Sequence, residues 1–92
     1  MLEKLPNTEL RKLKAQAQHL EPIAKVGRAG LSEGFMKQLN ENLDQHELIK
    51  VKFDEFKEQK KELAPKIAEQ TGSHLVHQVG NVIVLYRKKK EE

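Results

Sequence analysis

The run Val82-Ile83-Val84-Leu85-Tyr86 limits the fold more than any other segment, because it is apolar almost throughout. Side chains of a strand point alternately to the two faces of the sheet, so such a run must be covered on both faces or lie inside its sheet. The run continues to Arg87 and follows a second strand-like segment, residues 74–79, across the two-residue turn Gly80-Asn81. A turn of this length predicts a β-hairpin whose second strand is internal.

Apolar periodicity predicts the elements before the hairpin. Strands are predicted over 22–26 and over 47–53, where apolar residues alternate with lysines. Three helical stripes are predicted from Leu10, Leu13, Ala17 and Leu20, from Phe35, Met36, Leu39 and Leu43, and from Leu63, Ala64, Ile67 and Ala68. The order α-β-α-β-α-β-β indicates the α/β (α+β) class, with a mixed four-stranded sheet packed against helices. Three parallel strands and an antiparallel fourth give our expected strand order, 1-2-4-3.

Capping residues predict where the first two helices begin and end. Asn7 or Thr8 can cap the first helix, which Pro22 ends because the residue before a proline disfavours helical geometry. Ser32 is the expected cap of the second helix, which ends near Gln45.

The third helix contains a proline, which removes a backbone donor and crowds the preceding turn. Either the regular helix begins near Lys61, or Pro65 kinks a longer helix.

Length and composition narrow the class of protein. The chain has 92 residues, which predicts one domain over 1–92, with a core at about 5–88 and a charged tail at 88–92. It has no cysteine, so disulfides and thiolate metal sites are excluded. We see neither an apolar run near the roughly 20 residues of a membrane span nor a signal peptide, so we expect a cytoplasmic protein.

Positive charge is concentrated at the two ends of the chain. The net charge is +3, with six basic and three acidic residues in 1–30, and four basic and two acidic residues in 72–92. Residues 31–71 carry a small acidic excess. This asymmetry favours a nucleic-acid partner, although a solvated, mildly basic surface would have the same composition.

The motif that suggests a binding site is Gly27-Arg28-Ala29-Gly30, which lies between a predicted strand and a predicted helix. Glycine lets another backbone approach closely, and the guanidinium of Arg28 and the ammonium of Lys25 suit phosphate oxygens. A helix N-terminus after Ser32 would add its partial positive charge. These features predict contact with a phosphodiester backbone. The alternative is an ordinary strand-to-helix turn with a surface arginine.

Lys37 could supply further charge around this loop, and Lys12 and Lys14 could extend the basic surface if the first helix packs beside the loop. For each of these lysines the alternative is a solvated side chain. The aromatic residues are Phe35, Phe53, Phe56 and Tyr86. The first two are expected in the core. Tyr86 is expected to be half-buried in its strand, and the alternative is that it stacks on a base from the strand end. The sequence therefore predicts recognition of backbone and shape, without an aromatic platform for stacking bases.

Residues for catalysis or metal binding are not apparent. His74 and His77 are three apart in a strand, so we expect them on opposite faces, where they cannot easily share a metal. The carboxylates are scattered, and neither Ser32 nor Ser73 has the context of a nucleophile elbow. We expect no enzyme activity, no cofactor and no metal.

Four segments resemble a known family. They are Leu20-Glu21-Pro22-Ile23, Val26-Gly27-Arg28-Ala29-Gly30-Leu31-Ser32, His46-Glu47-Leu48-Ile49-Lys50-Val51-Lys52 and Gly80-Asn81-Val82-Ile83-Val84-Leu85-Tyr86-Arg87. Together, over about residues 5–88, the chain resembles the CRM domain, and more closely its free-standing bacterial form, the YhbY family. Pro65 and the small residue Ala29 depart from the family pattern, and the latter places more of the loop's grip on Arg28.

The resemblance implies an RNA-binding domain similar in fold to the C-terminal domain of bacterial translation initiation factor three. It also implies association with ribosomal RNA in precursors of the large ribosomal subunit and a role in their assembly. The family's GxxG loop corresponds to residues 27–30, and its basic surface to Lys12, Lys14, Lys25, Arg28 and Lys37. We expect a monomer. The main alternative is an interaction module that docks on a ribosomal protein or assembly factor.

Overall fold

The computed structural model describes residues 5–88, which form three α-helices and four β-strands. In chain order these are α1 (Asn7–Ala17), β1 (Ala24–Val26), α2 (Glu33–His46), β2 (Leu48–Phe53), α3 (Lys60–Thr71), β3 (His74–Val79) and β4 (Val82–Tyr86), with a short 3₁₀ turn at Lys57–Gln59 before α3. The charged tail expected at 88–92 lies, apart from Lys88, outside the described residues.

The four strands form one mixed sheet in the order β1-β2-β4-β3. β1 and β2 are parallel, and β4 is antiparallel to both β2 and β3. The predicted class and strand order are therefore confirmed. Because β1 and β2 are parallel and β4 starts where β2 ends, the loop after β1, the end of β2 and the β3–β4 turn all meet at one end of the sheet.

Helices cover both faces of the sheet, which explains the apolar run of β4. α2 and α3 pack on one face over a cluster that contains Phe53, Ile83 and Leu85. α1 packs on the other face over a smaller cluster that contains Val84. Ile83, Val84 and Leu85 are consequently all buried, although they point alternately to the two faces.

The first helix differs from the prediction at both ends. Its N-cap is Pro6, which makes no side-chain cap, so the prediction of Asn7 or Thr8 as cap is wrong. The carbonyl of Pro6 instead accepts the first helical hydrogen bond, from the N–H of Leu10. The helix ends at Ala17, well before Pro22, because the next hydrogen bonds tighten to a three-residue spacing.

This early end leaves Leu20 outside the helix and partly exposed. The sequence predicts Leu20 on the apolar stripe of the first helix, but its side chain lies beyond the helix and is 38% exposed. The helical period no longer applies there, so the prediction for this residue is wrong.

An irregularity in β3 changes the faces on which its histidines lie. His74 pairs with Tyr86 and His77 with Val84, with Val76 as an extra residue between them. Tyr86 and Val84 both belong to the face beneath α1, so the two histidines lie on that same face. The expectation of opposite faces is wrong, because a β-bulge breaks the two-residue alternation.

Pro65 lies inside α3, which begins at Lys60, close to the Lys61 start that was one of the two alternatives. A proline there leaves the carbonyl of Lys61 without its helical donor. Replacing the exposed Pro65 by alanine is expected to raise the free energy of unfolding by about 1–2 kcal/mol. Urea unfolding measures the change, with Lys66→Ala as a control that should shift it little. A Pro65→Ala protein no more stable than wild type would contradict this account.

Candidate nucleic-acid interface

Residues 27–30 form a tight turn at the end of β1. The N–H of Gly30 donates to the carbonyl of Gly27 at 3.0 Å, and Gly30 has a φ of +63°. Gly27, Arg28 and Ala29 are exposed, and Gly30 is half-buried. A Cβ on Gly30 would lie 3.3 Å from the ring of Phe56, so both backbone geometry and packing select glycine at this position. The turn is therefore open to a ligand and fixed in shape.

The helix that follows the turn begins with the predicted cap. The hydroxyl of Ser32 accepts a hydrogen bond from the N–H of Phe35 at 3.2 Å, and α2 starts at Glu33. The cap uses one first-turn donor, and the carboxylate of Glu33 lies within the same turn. The cap and the carboxylate both weaken the attraction of the helix N-terminus for an anion. Side chains must therefore supply most of the positive charge that would bind one.

A pair of lysines beside the turn supplies such charge. Lys25 of β1 and Lys52 of β2 are partners in the parallel register, and both are exposed on the sheet face that α1 covers only in part. Like charges on neighbouring strands disfavour folding, and the carboxylate of Asp54, 3.9 Å from the ammonium of Lys52, offsets only part of this repulsion. A bound phosphate would neutralise this repulsion. The arrangement therefore favours an anionic ligand next to the turn.

Two acidic residues, Asp54 and Glu55, directly follow β2 beside the turn. The N–H groups of Asp54 and Glu55 donate to the carbonyl of Val26 at 3.1 and 3.0 Å, which holds their segment against the end of β1. The carboxylate of Asp54 is 3.9 Å from the ammonium of Lys52, and both side chains are about half exposed. An exposed pair of this kind contributes little to stability. The carboxylate of Asp54 nevertheless offsets part of the positive charge at Lys52, so a phosphate that binds there must compete with it.

A groove on the same sheet face extends the basic surface. It has a volume of about 500 Å³ and lies between α1 and the strands. Lys14, Lys50 and His77 contribute to its walls, and Val82 and Val84 are among its apolar residues. Its cationic groups and apolar floor suit a nucleotide better than a purely anionic ligand.

The predicted lysines are thus placed differently from one another. Lys14 lines the groove, whereas Lys12 is two residues, or about 200°, away around α1. Lys12 therefore lies on the opposite flank of the helix, and Lys37 is exposed on α2. The structure groups Lys14 and Lys25 with one sheet face and does not bring Lys12 to it.

Sequence reasoning missed Lys50 and Lys52 as members of this surface. Both were recognisable as the polar positions of β2, alternating with its apolar residues. What the sequence lacked was the register that sets Lys52 beside Lys25.

Arg87 is a basic residue that the fold itself uses. One guanidinium nitrogen donates to the side-chain oxygen of Asn40 and to the carbonyl of Thr71, both at 2.7 Å. The other donates to the carbonyl of Asn40 and to the carboxylate of Asp44, both at 2.8 Å. These four hydrogen bonds join β4 to the C-terminal parts of α2 and α3. Arg87 is therefore structural.

Tyr86 is half-buried, as expected, and stacks on His74 with ring centroids 6.3 Å apart. Burial, and then the negative charges of Glu47 and Glu9, raise the pKa of Tyr86 above its usual value. The phenol is therefore neutral at physiological pH, and one face of its ring is already used.

Within residues 5–88, His, Asp and Glu side chains do not form a group of three or more that could hold a metal ion. The helices described there are too short or too polar to cross a membrane.

Comparisons with known proteins agree with this architecture. Residues 5–87 match the CRS1 / YhbY (CRM) domain. The "Probable RNA-binding protein YqeI" of Bacillus subtilis is 39% identical over 88 residues, which cover 95% of this chain and 92% of the relative. A Haemophilus influenzae relative named "RNA-binding protein" is 38% identical over 80 residues, covering 86% and 81%. The solution structure of SAV1595 from Staphylococcus aureus superposes with a TM-score of 0.79 at 39% identity, covering 96% and 93%. The chain therefore belongs to the CRS1/YhbY (CRM) domain family.

Proposed function

We propose that this protein is a single-domain RNA-binding protein that holds the backbone of ribosomal RNA at the Gly27–Gly30 turn. The observation that carries the proposal is the Lys25–Lys52 pair beside an exposed turn that bears Arg28. Three cationic side chains around an open turn fit successive phosphates of one strand. The names of the bacterial relatives support RNA as the ligand.

The charge distribution gives the RNA a direction across the protein. From the turn, the backbone passes over Lys25 and Lys52 and continues towards the groove at Lys14 and Lys50. A route over the segment after β2 instead meets the exposed carboxylates of Glu55 and Glu58. Repulsion between carboxylates and phosphates disfavours that route.

The cellular role that we propose is assistance in assembling the large ribosomal subunit, in the cytoplasm and without catalysis. The resemblance to the YhbY family supports this role. A small domain that binds backbone and shape suits precursor RNA, whose folded segments expose phosphates in defined arrangements. The protein acts as a monomer.

Reversing the charge of Arg28 tests the turn. Arg28→Glu is expected to weaken binding to fragments of large-subunit ribosomal RNA by about 1 kcal/mol or more, roughly fivefold, and to flatten the salt dependence. Filter binding over a salt series measures both quantities. Lys66→Glu, on exposed α3, makes the same change in net charge and should bind almost as wild type.

The same variants separate the proposal from the protein-docking alternative. Wild type, but not Arg28→Glu, should sediment with large-subunit precursors in a gradient of cell extract, and nuclease treatment should release it. The RNA-binding proposal would be wrong if the association survived nuclease treatment and Arg28→Glu sedimented like wild type. The protein would then dock on another protein.

A further inference from the structure

Phe56, beside the turn, has an exposed side chain and a strained backbone conformation. Its side chain is 41% exposed, and its backbone has a φ of +58°, in the left-handed region that residues other than glycine seldom adopt. Three ring atoms lie 3.3–4.0 Å from the position that a Cβ on Gly30 would occupy. The sequence alone assigns Phe56 neither to the core nor to a binding site, because its charged surroundings, residues 54–61, do not reveal where the ring points.

Burial does not explain this conformation. A strained backbone persists when its surroundings hold it, and such residues cluster at binding sites. Here the N–H groups of Asp54 and Glu55 hold the segment by donating to the carbonyl of Val26. The N–H of Gln59 donates to the carbonyl of Phe56 itself, at 3.0 Å. They fix the segment, yet the ring that it presents remains in large part open to solvent. An exposed aromatic ring therefore lies beside the turn.

We propose that Phe56 is a stacking platform for one unpaired base of the RNA held at the Gly27–Gly30 turn, an inference that rests on the proposed function. The ring touches the turn at Gly30, so a nucleotide whose phosphate contacts Arg28 has its base within reach of Phe56. The neighbouring carboxylates of Asp54 and Glu55 repel phosphates but do not repel a neutral base.

The inference defines the class of RNA that the site takes. A base inside a duplex is paired and stacked on its neighbours, so it cannot lie on a protein ring without being extruded. The turn should therefore select a loop, bulge or single strand. Because every base has a π-face, the stacking contact itself requires no particular sequence.

A tryptophan substitution reports stacking directly, since the chain contains no tryptophan. In Phe56→Trp, a short single-stranded oligoadenylate should quench the indole emission, whereas an abasic strand of equal length and an RNA duplex should not. Leu20→Trp is the matched control, because Leu20 is similarly exposed, at 38%, and lies away from the turn; its emission should change little. Unchanged emission of Phe56→Trp at saturating oligoadenylate would overturn the inference.

Affinity provides an independent readout. Phe56→Leu keeps an apolar side chain against Gly30 but removes the aromatic ring. It should bind oligoadenylate at least about fivefold more weakly than wild type. Phe56→Tyr keeps the ring and should bind as wild type. Equal binding by Phe56→Leu and wild type would overturn the inference even if the tryptophan variant failed to fold. The proposed function fails separately, if Arg28→Glu binds ribosomal RNA as tightly as wild type.

Discussion

Replacing Arg87 by alanine should lower the free energy of unfolding by about 3 kcal/mol. Hydrogen bonds from a charged donor contribute about 1.5–3 kcal/mol each, but these four share one side chain and are partly solvated, so their effects do not add in full. Truncation leaves the carbonyl of Thr71 and the side chain of Asn40 without their donor. For a domain of this size, the loss corresponds to a fall in Tm of roughly 12–24 °C. Thermal unfolding followed by circular dichroism measures it.

Two variants separate geometry from charge at this position. Arg87→Lys keeps the positive charge near Asp44 but cannot form the same planar set of bonds, so it should lose about half as much stability. Arg11→Ala removes an exposed arginine of α1 and should change the free energy of unfolding by less than about 0.5 kcal/mol. If Arg87→Ala and Arg11→Ala unfolded at the same temperature, the linking role of Arg87 would be refuted.

Reversing both charges of the Lys25–Lys52 pair should weaken RNA binding by about 2 kcal/mol, roughly thirtyfold. The loss of two phosphate contacts should also make the slope of log K against log salt shallower by about 1.4 for a single strand. Filter binding of Lys25→Glu/Lys52→Glu at several salt concentrations measures both. The double variant also loses the Lys52–Asp54 ion pair, but all of these side chains are exposed and such pairs contribute little to stability, so the fold should remain intact.

The chain offers a matched control for this double variant. Lys61→Glu/Lys66→Glu makes the same change in net charge on α3, which packs on the opposite face of the sheet. Equal losses for the two double variants would mean that binding depends only on net charge. The path that we propose for the RNA would then be wrong.

The sequence predicted the sheet correctly, because its signals are local and agree with one another. The alternation of apolar and polar residues identifies β2, and the turn Gly80-Asn81 separates β3 from β4. The apolar run of β4 requires an internal position in the sheet. Gly30 in the turn and Ser32 as a cap were also recognisable, since each residue type suits the backbone geometry found there.

The features that the sequence did not reveal depend on contacts between distant segments. The bulge at Val76 shifts one strand against another and moves a histidine between faces. The Lys25–Lys52 pair arises from strand register, and the contact of Phe56 with Gly30 joins residues far apart in the chain. Arg87 looked like one more basic residue until its four acceptors on α2 and α3 were located.

The two outer strands have a consequence for how copies of this chain can meet. β1 is only three residues long, and β3 is interrupted at Val76. A second copy that paired with β1 could form only a short ladder of backbone hydrogen bonds. A copy that paired with β3 could form only an irregular ladder. Unbroken outer strands invite aggregation by backbone pairing, and shortening or bulging them prevents it. The domain can therefore display its lysine-rich face at high concentration without its sheets joining edge to edge.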